Sequence, residues 1–304
     1  MKREDRVKTV AFPLFAAMLW GGCFVGQRIA AQNMEPFAFN SIRSLLASFL
    51  LLAFVYLTRK RQKELPTSRK EWRFIILGGV LAGVLLFMAQ NFQQIGMEDM
   101  ETGKAGFLTA LYIVLVPIFS TVLGKKVSLF TWIGIVLALV GMYFLCITGS
   151  FTIRRGDLLM IFCAIIYGVY ILIVDYYVKR TNAILFNGIH FASAAVCSAF
   201  VSLFAEHPAT WNLRPCIGPI LYAAIFSNAI AYGLQMIAQK EGNSVRVAVL
   251  FSLESVFSLL FGAVLLNEIL TPREFLGCGI MFAAVILAQL PEDFFKKKVK
   301  AYTA

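Results

Sequence analysis

The sequence predicts an all-α integral membrane protein, with ten transmembrane helices arranged as two inverted halves of five. Three observations carry that prediction. Of the 304 residues, 59% are hydrophobic and only 15% are charged, against roughly 45–50% and about 25% in soluble domains. The apolar residues lie in ten continuous runs, each close to the about 20 residues that a helix needs to cross a bilayer. Short polar patterns in the first five runs reappear in the last five, in the same order. So few charges cannot cover a water-facing surface, which excludes a soluble enzyme and a disordered chain. The net charge of +11 does not point to nucleic acid either, because no water-facing domain is left to present it.

The runs fall near residues 10–31, 37–57, 73–95, 103–123, 129–147, 157–177, 183–204, 216–238, 243–266 and 273–290. They are unbroken and do not alternate, which excludes a β-barrel. The first follows Met1-Lys2-Arg3-Glu4-Asp5-Arg6 and shows no small-residue cleavage site, so it reads as a retained helix. Gly22 and Gly26 in the first run, and Gly79 and Gly83 in the third, are spaced to let helices approach closely. Pro117 in the fourth run lacks the N–H of a regular turn and predicts a kink. The longest polar stretch, Thr58 to Arg73, is too short for a soluble domain. The six cysteines form no CxxC pair and read as small buried hydrophobes.

Lysine and arginine set the orientation. With the N-terminus inside, 20 of the 28 basic residues fall on the inner side and four on the outer. The inner set includes seven between Arg59 and Arg73; the outer four are Arg154, Arg155, Arg214 and Arg273. Both termini, residues 1–9 and 291–304, are therefore expected in the cytoplasm. The repeat is visible as Phe39-Asn40-Ser41-Ile42-Arg43 against Phe186-Asn187-Gly188-Ile189-His190, and as Phe92-Gln93-Gln94-Ile95-Gly96 against Leu234-Gln235-Met236-Ile237-Ala238. At the second offset, Lys104 falls on Arg246 and Tyr112 on Glu254. Five spans per half is an odd number, so the halves must point in opposite directions. That is the plan of secondary transporters, with a substrate site near the midplane between the halves.

Several motifs resemble the EamA-domain family of the drug/metabolite transporter superfamily. They are Ala16-Ala17-Met18-Leu19-Trp20-Gly21-Gly22, Gly103-Lys104-Ala105-Gly106-Phe107-Leu108 with Val116-Pro117, and Leu253-Glu254-Ser255-Val256-Phe257-Ser258 with Leu265-Leu266-Asn267-Glu268 and Gly277. The resemblance covers nearly the whole chain. It implies two EamA repeats, 10–147 and 157–290, and a carrier of small metabolites, many members being exporters of amino acids or related compounds. The halves have diverged: Lys125-Lys126 stands where the second half has Asn267-Glu268. The central site is therefore expected to be asymmetric.

Polar groups inside apolar runs are the candidates for function, since each must find a partner or face a wet cavity. Glu254 lies mid-span and is expected to meet a cation or exchange a proton. Arg43, with Asn40 on the same helical face, suits bidentate capture of a carboxylate. Alternatively it snorkels or pairs with Glu98 or Glu101. His190 is its repeat counterpart and a candidate for a substrate or proton role. Gln90 and Gln94 share one face of the third span. Together with Tyr112, Tyr167, Tyr232 and Gln235 they are expected to line a polar cavity, with Trp20 as an aromatic wall. Lys104 is expected to pair with Glu98, Asp99 or Glu101, and Arg246 with Glu241, as anchors or gate pairs. A lone histidine within the spans offers no metal site. No GxxxxGK[ST] motif is present, so neither a cofactor nor ATP is expected.

These residues predict a secondary transporter of the cytoplasmic membrane, a monomer or homodimer working on a small molecule within the lipid bilayer. The favoured cargo is an amino acid or related compound, because Arg43 and Glu254 offer opposite charges. A carrier of cationic drugs, or of nucleotide sugars, is the alternative. A membrane enzyme lacks a catalytic set, and a receptor lacks a signalling surface. In a cysteine-free background, a cysteine replacing Lys60 should react with a membrane-impermeant maleimide only after the cells are opened. One replacing Arg154 should react in intact cells.

Overall fold

Apolar runs bounded by polar turns fold here into helices whose ends nearly coincide with the runs. The structure is a computed structural model, and it describes residues 7–62, 64–98, 100–146, 154–207, 211–267 and 269–290. Both tails, Lys63, Asp99, residues 147–153 and 208–210, Glu268, and the side chains of Leu145 and Cys146 lie outside the described residues. The ten helical spans are α1 (Phe12–Ala31), α2 (Pro36–Thr58), α3 (Arg69–Gly96), α4 (Thr102–Val122) and α5 (Leu129–Cys146) in the first half. The second half holds α6 (Arg155–Val178), α7 (Ala183–Ala205), α8 (Leu213–Glu241), α9 (Ser244–Leu266) and α10 (Pro272–Ala288). A π-helical turn, Val7–Ala11, leads into α1. Eight spans reach full crossing length, while α5 and α10, with 18 and 17 residues, sit at the short end of what a bilayer accepts.

Packing follows the repeat. α2 packs on α7 and α5 on α10, each an element against its counterpart in the other half. The contact of α3 with α6 is matched by that of α8 with α1. That of α4 with α6 is matched by α9 with α1, and that of α3 with α7 by α8 with α2. Exchanging the halves leaves this set of neighbours unchanged, the signature of two five-helix units related by a pseudo-two-fold axis in the membrane plane. Large apolar side chains cover the outward faces, among them Phe49, Leu57, Leu203 and Ile286. In lipid such exposure is the low-energy arrangement.

Close helix approach rests on the small residues. A Cβ added at Gly79 would lie 2.6 Å from Ile189 Cγ2 of α7, and one at Gly83 would collide with the His190 carbonyl. In the same way Gly21 of α1 meets Phe257 of α9. The connection between α7 and α8 is tied to the start of α2 by two carboxylates. Glu206 accepts hydrogen bonds from Phe37 N (2.7 Å) and Ala38 N (2.8 Å), meeting first-turn N–H groups that have no partner within a helix. Glu35 accepts from His207 N and Trp211 Nε1.

Two spans are interrupted. α4 breaks at Leu111, between Thr102–Ala110 and Tyr112–Val122. α9 breaks at Ser252 and Leu253, between Ser244–Phe251 and Glu254–Leu266. The breaks occupy the same place in the repeat, and each is a tightened turn, with Leu111 N bonding Leu108 O and Leu253 N bonding Leu250 O. Pro117, expected as the site of a kink, lies inside the second segment of α4; the discontinuity falls more than a turn before it. In α8, a π-helical stretch over Ala223–Ala231 follows Pro219. α3, its counterpart, is regular throughout.

Gly79→Val should lower the melting temperature of the purified protein, by about 1–3 kcal/mol of stability, because a tight crossing cannot absorb the added methyls. Gly218→Ala, with nothing within 4 Å of the new Cβ, should leave it unchanged or raise it.

Candidate functional site

A narrow cavity of about 40 Å³ lies between the halves. From the first half, α1 supplies Trp20, Cys23 and Gln27, α2 supplies Arg43, α3 supplies Gln90 and Gln93, and α4 supplies Thr109 and Tyr112. From the second, α6 supplies Tyr167 and Tyr170, α8 supplies Ser227, Tyr232 and Gln235, and α9 supplies Phe251 and Glu254. The broken spans α4 and α9 thus end their first segments at the cavity. The residues that open their second segments, Tyr112 and Glu254, line it. These repeat counterparts lie close enough to interact electrostatically.

Arg43 is 2% exposed. Its Nε donates to Asn40 Oδ1 at 2.8 Å, its Nη1 lies 3.9 Å from Cys23 Sγ, and its guanidinium sits 5.2 Å from the centre of the Phe39 ring. No carboxylate of the described residues pairs with it, neither Glu254 nor the exposed Glu98 and Glu101. Asn40 is itself held by donating to Gln90 O and Asn91 Oδ1, so the cation is anchored from one side and its remaining N–H groups are left for the cavity. Glu254 is 4% exposed, and its Oε1 has no hydrogen-bond partner among the described residues. Trp20 Nε1, Tyr112 Oη and Gln235 Oε1 share that condition, the Tyr112 hydroxyl facing Glu254. A buried polar atom left unmet costs about 1–3 kcal/mol, so Trp20, Gln235 and the Glu254–Tyr112 pair mark a surface able to meet something polar.

The walls between these groups are aromatic. Trp20 stands edge-on to Tyr232 and Phe251, with ring centres 5.0 and 5.1 Å away. Tyr167 and Tyr232 hydroxyls meet at 3.2 Å. Tyr112, Tyr167, Tyr170 and Tyr232 form a chain of edge-to-face contacts. Such rings bind apolar groups and, through their faces, cations.

Eight of the ten residues singled out in the sequence therefore border one cavity: Trp20, Arg43, Gln90, Tyr112, Tyr167, Tyr232, Gln235 and Glu254. Gln94 and His190 do not. Gln94 accepts from Gln27 Nε2 and donates to the Gln27 carbonyl at 2.9 Å, clamping α3 to α1. His190 is fully buried behind the cavity wall, 3.3 Å from the Tyr170 hydroxyl and packed on Phe191 at 4.2 Å between ring centres. Of the four amides of α3, Asn91, Gln93 and Gln94 serve helix-to-helix bonds. Gln93 also edges the cavity. Cys23, Gln27 and Thr109 join the wall although apolar runs hid them. For Cys23 and Gln27 the signal was their spacing from Trp20, three and seven residues along one face of α1; Thr109 of α4 had none. Among the described residues no group of three His, Cys, Asp or Glu is placed to hold a metal.

Two expected ion pairs are replaced by others. Lys104 pairs with Asp157 at the start of α6 at 2.7 Å, not with Glu98 or Glu101. The α6 helix begins beside α4, whereas the turn carrying those two glutamates points them outward. Glu241 pairs with Lys8 instead of Arg246, at 3.7 Å. At the other end of α6, buried Asp175 binds Lys179 (2.6 Å), Lys125 (3.0 Å) and the Ser244 hydroxyl. It joins α6 to the end of α4 and the start of α9.

Two inverted helical bundles around a central polar cavity, with a broken span in each, define the class of membrane transporters built from inverted repeats. The sequence profile of the EamA-like transporter family matches residues 7–147 and again 154–290. The chain belongs to that family. An uncharacterized transporter of Archaeoglobus fulgidus is 33% identical over 275 residues, covering 90% of this chain and 83% of its own. The uncharacterized inner membrane transporter YedA of Escherichia coli K12 is 25% identical, over 94% of each chain. A solved crystal structure shares the fold, with a TM-score of 0.75, 20% identity, and coverage of 92% of this chain and 96% of that one.

Gln94→Leu should destabilise the protein by about 1–3 kcal/mol, because it removes both bonds by which Gln94 clamps α3 to α1 and leaves Gln27 Nε2 with Gln93 Oε1 alone. Thermal unfolding in detergent measures this. Gln90→Leu, at the cavity edge, should change the melting temperature far less.

Proposed function

We propose that this protein is a secondary transporter of the cytoplasmic membrane, both termini inside, that moves a small zwitterionic metabolite of the amino-acid type. The observation that carries the reading is Arg43 without a carboxylate partner and Glu254 with an unmet oxygen on one cavity between the halves. A guanidinium held through Nε by Asn40 and through Nη1 by the weak acceptor Cys23 Sγ presents its remaining N–H groups to a carboxylate. Glu254 and the rings of Trp20 and Tyr232 receive an ammonium group, the carboxylate by charge and the rings by their faces. Phe251, Tyr167 and Tyr170 supply apolar surface for a side chain.

Transport proceeds by rocking of the halves around this fixed site, with the breaks in α4 and α9 as the points that yield. Export is the direction suggested by the family resemblance. Glu254 exchanges its place between substrate and proton, which couples outward movement to proton entry. His190, behind Tyr170, holds that hydroxyl in place. A carrier of lipophilic cations is a second reading, favoured by the aromatic wall beside Glu254. The buried cation of Arg43 on the same cavity weighs against it.

In liposomes containing the purified protein, radiolabelled amino acids should move faster than in empty vesicles, and a pH gradient should drive them. Arg43→Gln should lower transport at least ten-fold while the protein remains folded. Glu254→Gln should abolish dependence on the pH gradient. Robust movement of a lipophilic cation with no movement of any amino acid would overturn the substrate assignment. Unchanged pH-gradient dependence in Glu254→Gln would remove Glu254 from coupling.

A further inference from the structure

We propose that the hollow at the start of α3 is a binding site for the headgroup of an anionic phospholipid. The hollow is lined by the polar stretch 64–68, by Lys70, Arg73, Phe74 and Leu77 of α3, and by Arg180 and Thr181 of the turn between α6 and α7. Three cations from the two halves of the protein thus converge on one space. The two carboxylates beside them are already committed. Glu71 accepts from Thr67 N at 2.8 Å, from Thr67 Oγ1 and from Ser68 N, closing the cap of α3. Glu64 is bound by Lys240, which also donates to Thr181 O. Because the cap is complete, the attraction for an anion comes from the Lys70, Arg73 and Arg180 side chains and not from free helix N–H groups. Arg180 is held in place by donating to Tyr176 O at 2.5 Å and by lying 4.2 Å from the Tyr176 ring centre. Three cations against the two carboxylates Glu64 and Glu71 leave the lining of the hollow with an excess positive charge.

The surroundings select a lipid over a soluble anion. Exposed Trp72 stands beside the hollow, and tryptophan is the side chain most at home at headgroup depth. Below Arg73, the exposed Leu77, Val80, Leu81 and Val84 form an apolar stripe down the outward face of α3. A phosphate held by Lys70, Arg73 and Arg180 would therefore carry its acyl chains down that stripe. The bound headgroup would bridge α3 of the first half and the α6–α7 turn of the second.

Native mass spectrometry of the full-length protein, titrated in mixed micelles with dioleoylphosphatidylglycerol or dioleoylphosphatidylcholine, tests the assignment. The phosphatidylglycerol should be retained preferentially and should raise the melting temperature. Arg73→Gln should cut that preference about five-fold, near what one interfacial cation contributes. The triple variant Lys70→Gln, Arg73→Gln, Arg180→Gln should lose most of it. Arg59→Gln with Lys60→Gln, in the same loop but outside the hollow, should keep it. Equal retention of the two lipids overturns the proposal. So does a preference that survives in the triple variant, or an equal stabilisation by inorganic phosphate. If the triple variant does not fold, Arg73→Gln alone decides between the outcomes.

Discussion

Inside hydrocarbon no water is at hand to meet a polar group, and this constraint arranges the protein. Two fates recur among the intramembrane polar side chains. Some are joined to another helix, as Gln94 is to Gln27, Asn40 to Asn91 and Ser48 to the Gly188 carbonyl. Others face the space between the halves, as Arg43 and Glu254 do. The first group fixes the bundle. The second is tolerable only because the cavity concentrates it in one place, where a polar guest can meet several atoms at once.

The repeat explains where that place lies. Two copies of one five-helix pattern, inverted, bring the same position of α4 and α9 to the centre from opposite directions. At each, the helix loses its regular hydrogen bonds for about a turn, and the chain resumes with Tyr112 in one half and Glu254 in the other. The architecture is symmetric while the chemistry is not. The same divergence turns the counterpart positions Arg43 and His190 into a cavity cation and a packed ring behind the wall. A cavity built this way is asymmetric, with a cation on one contributing helix and a carboxylate on another.

The charged groups at the membrane faces belong to a different economy of forces. Asp157 and Asp175 sit near the two ends of α6 and bind lysines that lie next to or beyond the ends of α4. α6 is thereby held to α4 at both faces, while the cavity lies between. These pairs were not readable from the chain. Sequence proximity pointed Lys104 to Glu98 and Glu101, but both lie before the first turn of α4 and face outward, Glu101 at its extended N-cap, while packing brings Asp157 of α6 beside Lys104. The residue that answers Lys104 is 53 positions distant.

The sequence alone determined the helices, their limits to within a few residues and the repeat, because a bilayer demands long apolar stretches and punishes every charge placed within one. It also narrowed the polar interior to a short set of side chains, since Arg43 and Glu254 stand out against an apolar background. It did not separate those that bind the protein to itself from those that face the cavity. Gln90 and Gln94 lie one turn apart on one face and look alike in the chain. Only the tertiary structure, by placing Gln27 against Gln94 and leaving Gln90 at the cavity edge, decided between them. The interruptions of α4 and α9 were likewise invisible, since Leu111 and Leu253 favour helix locally. They arise where packed helices and the cavity impose a turn that the local sequence does not request.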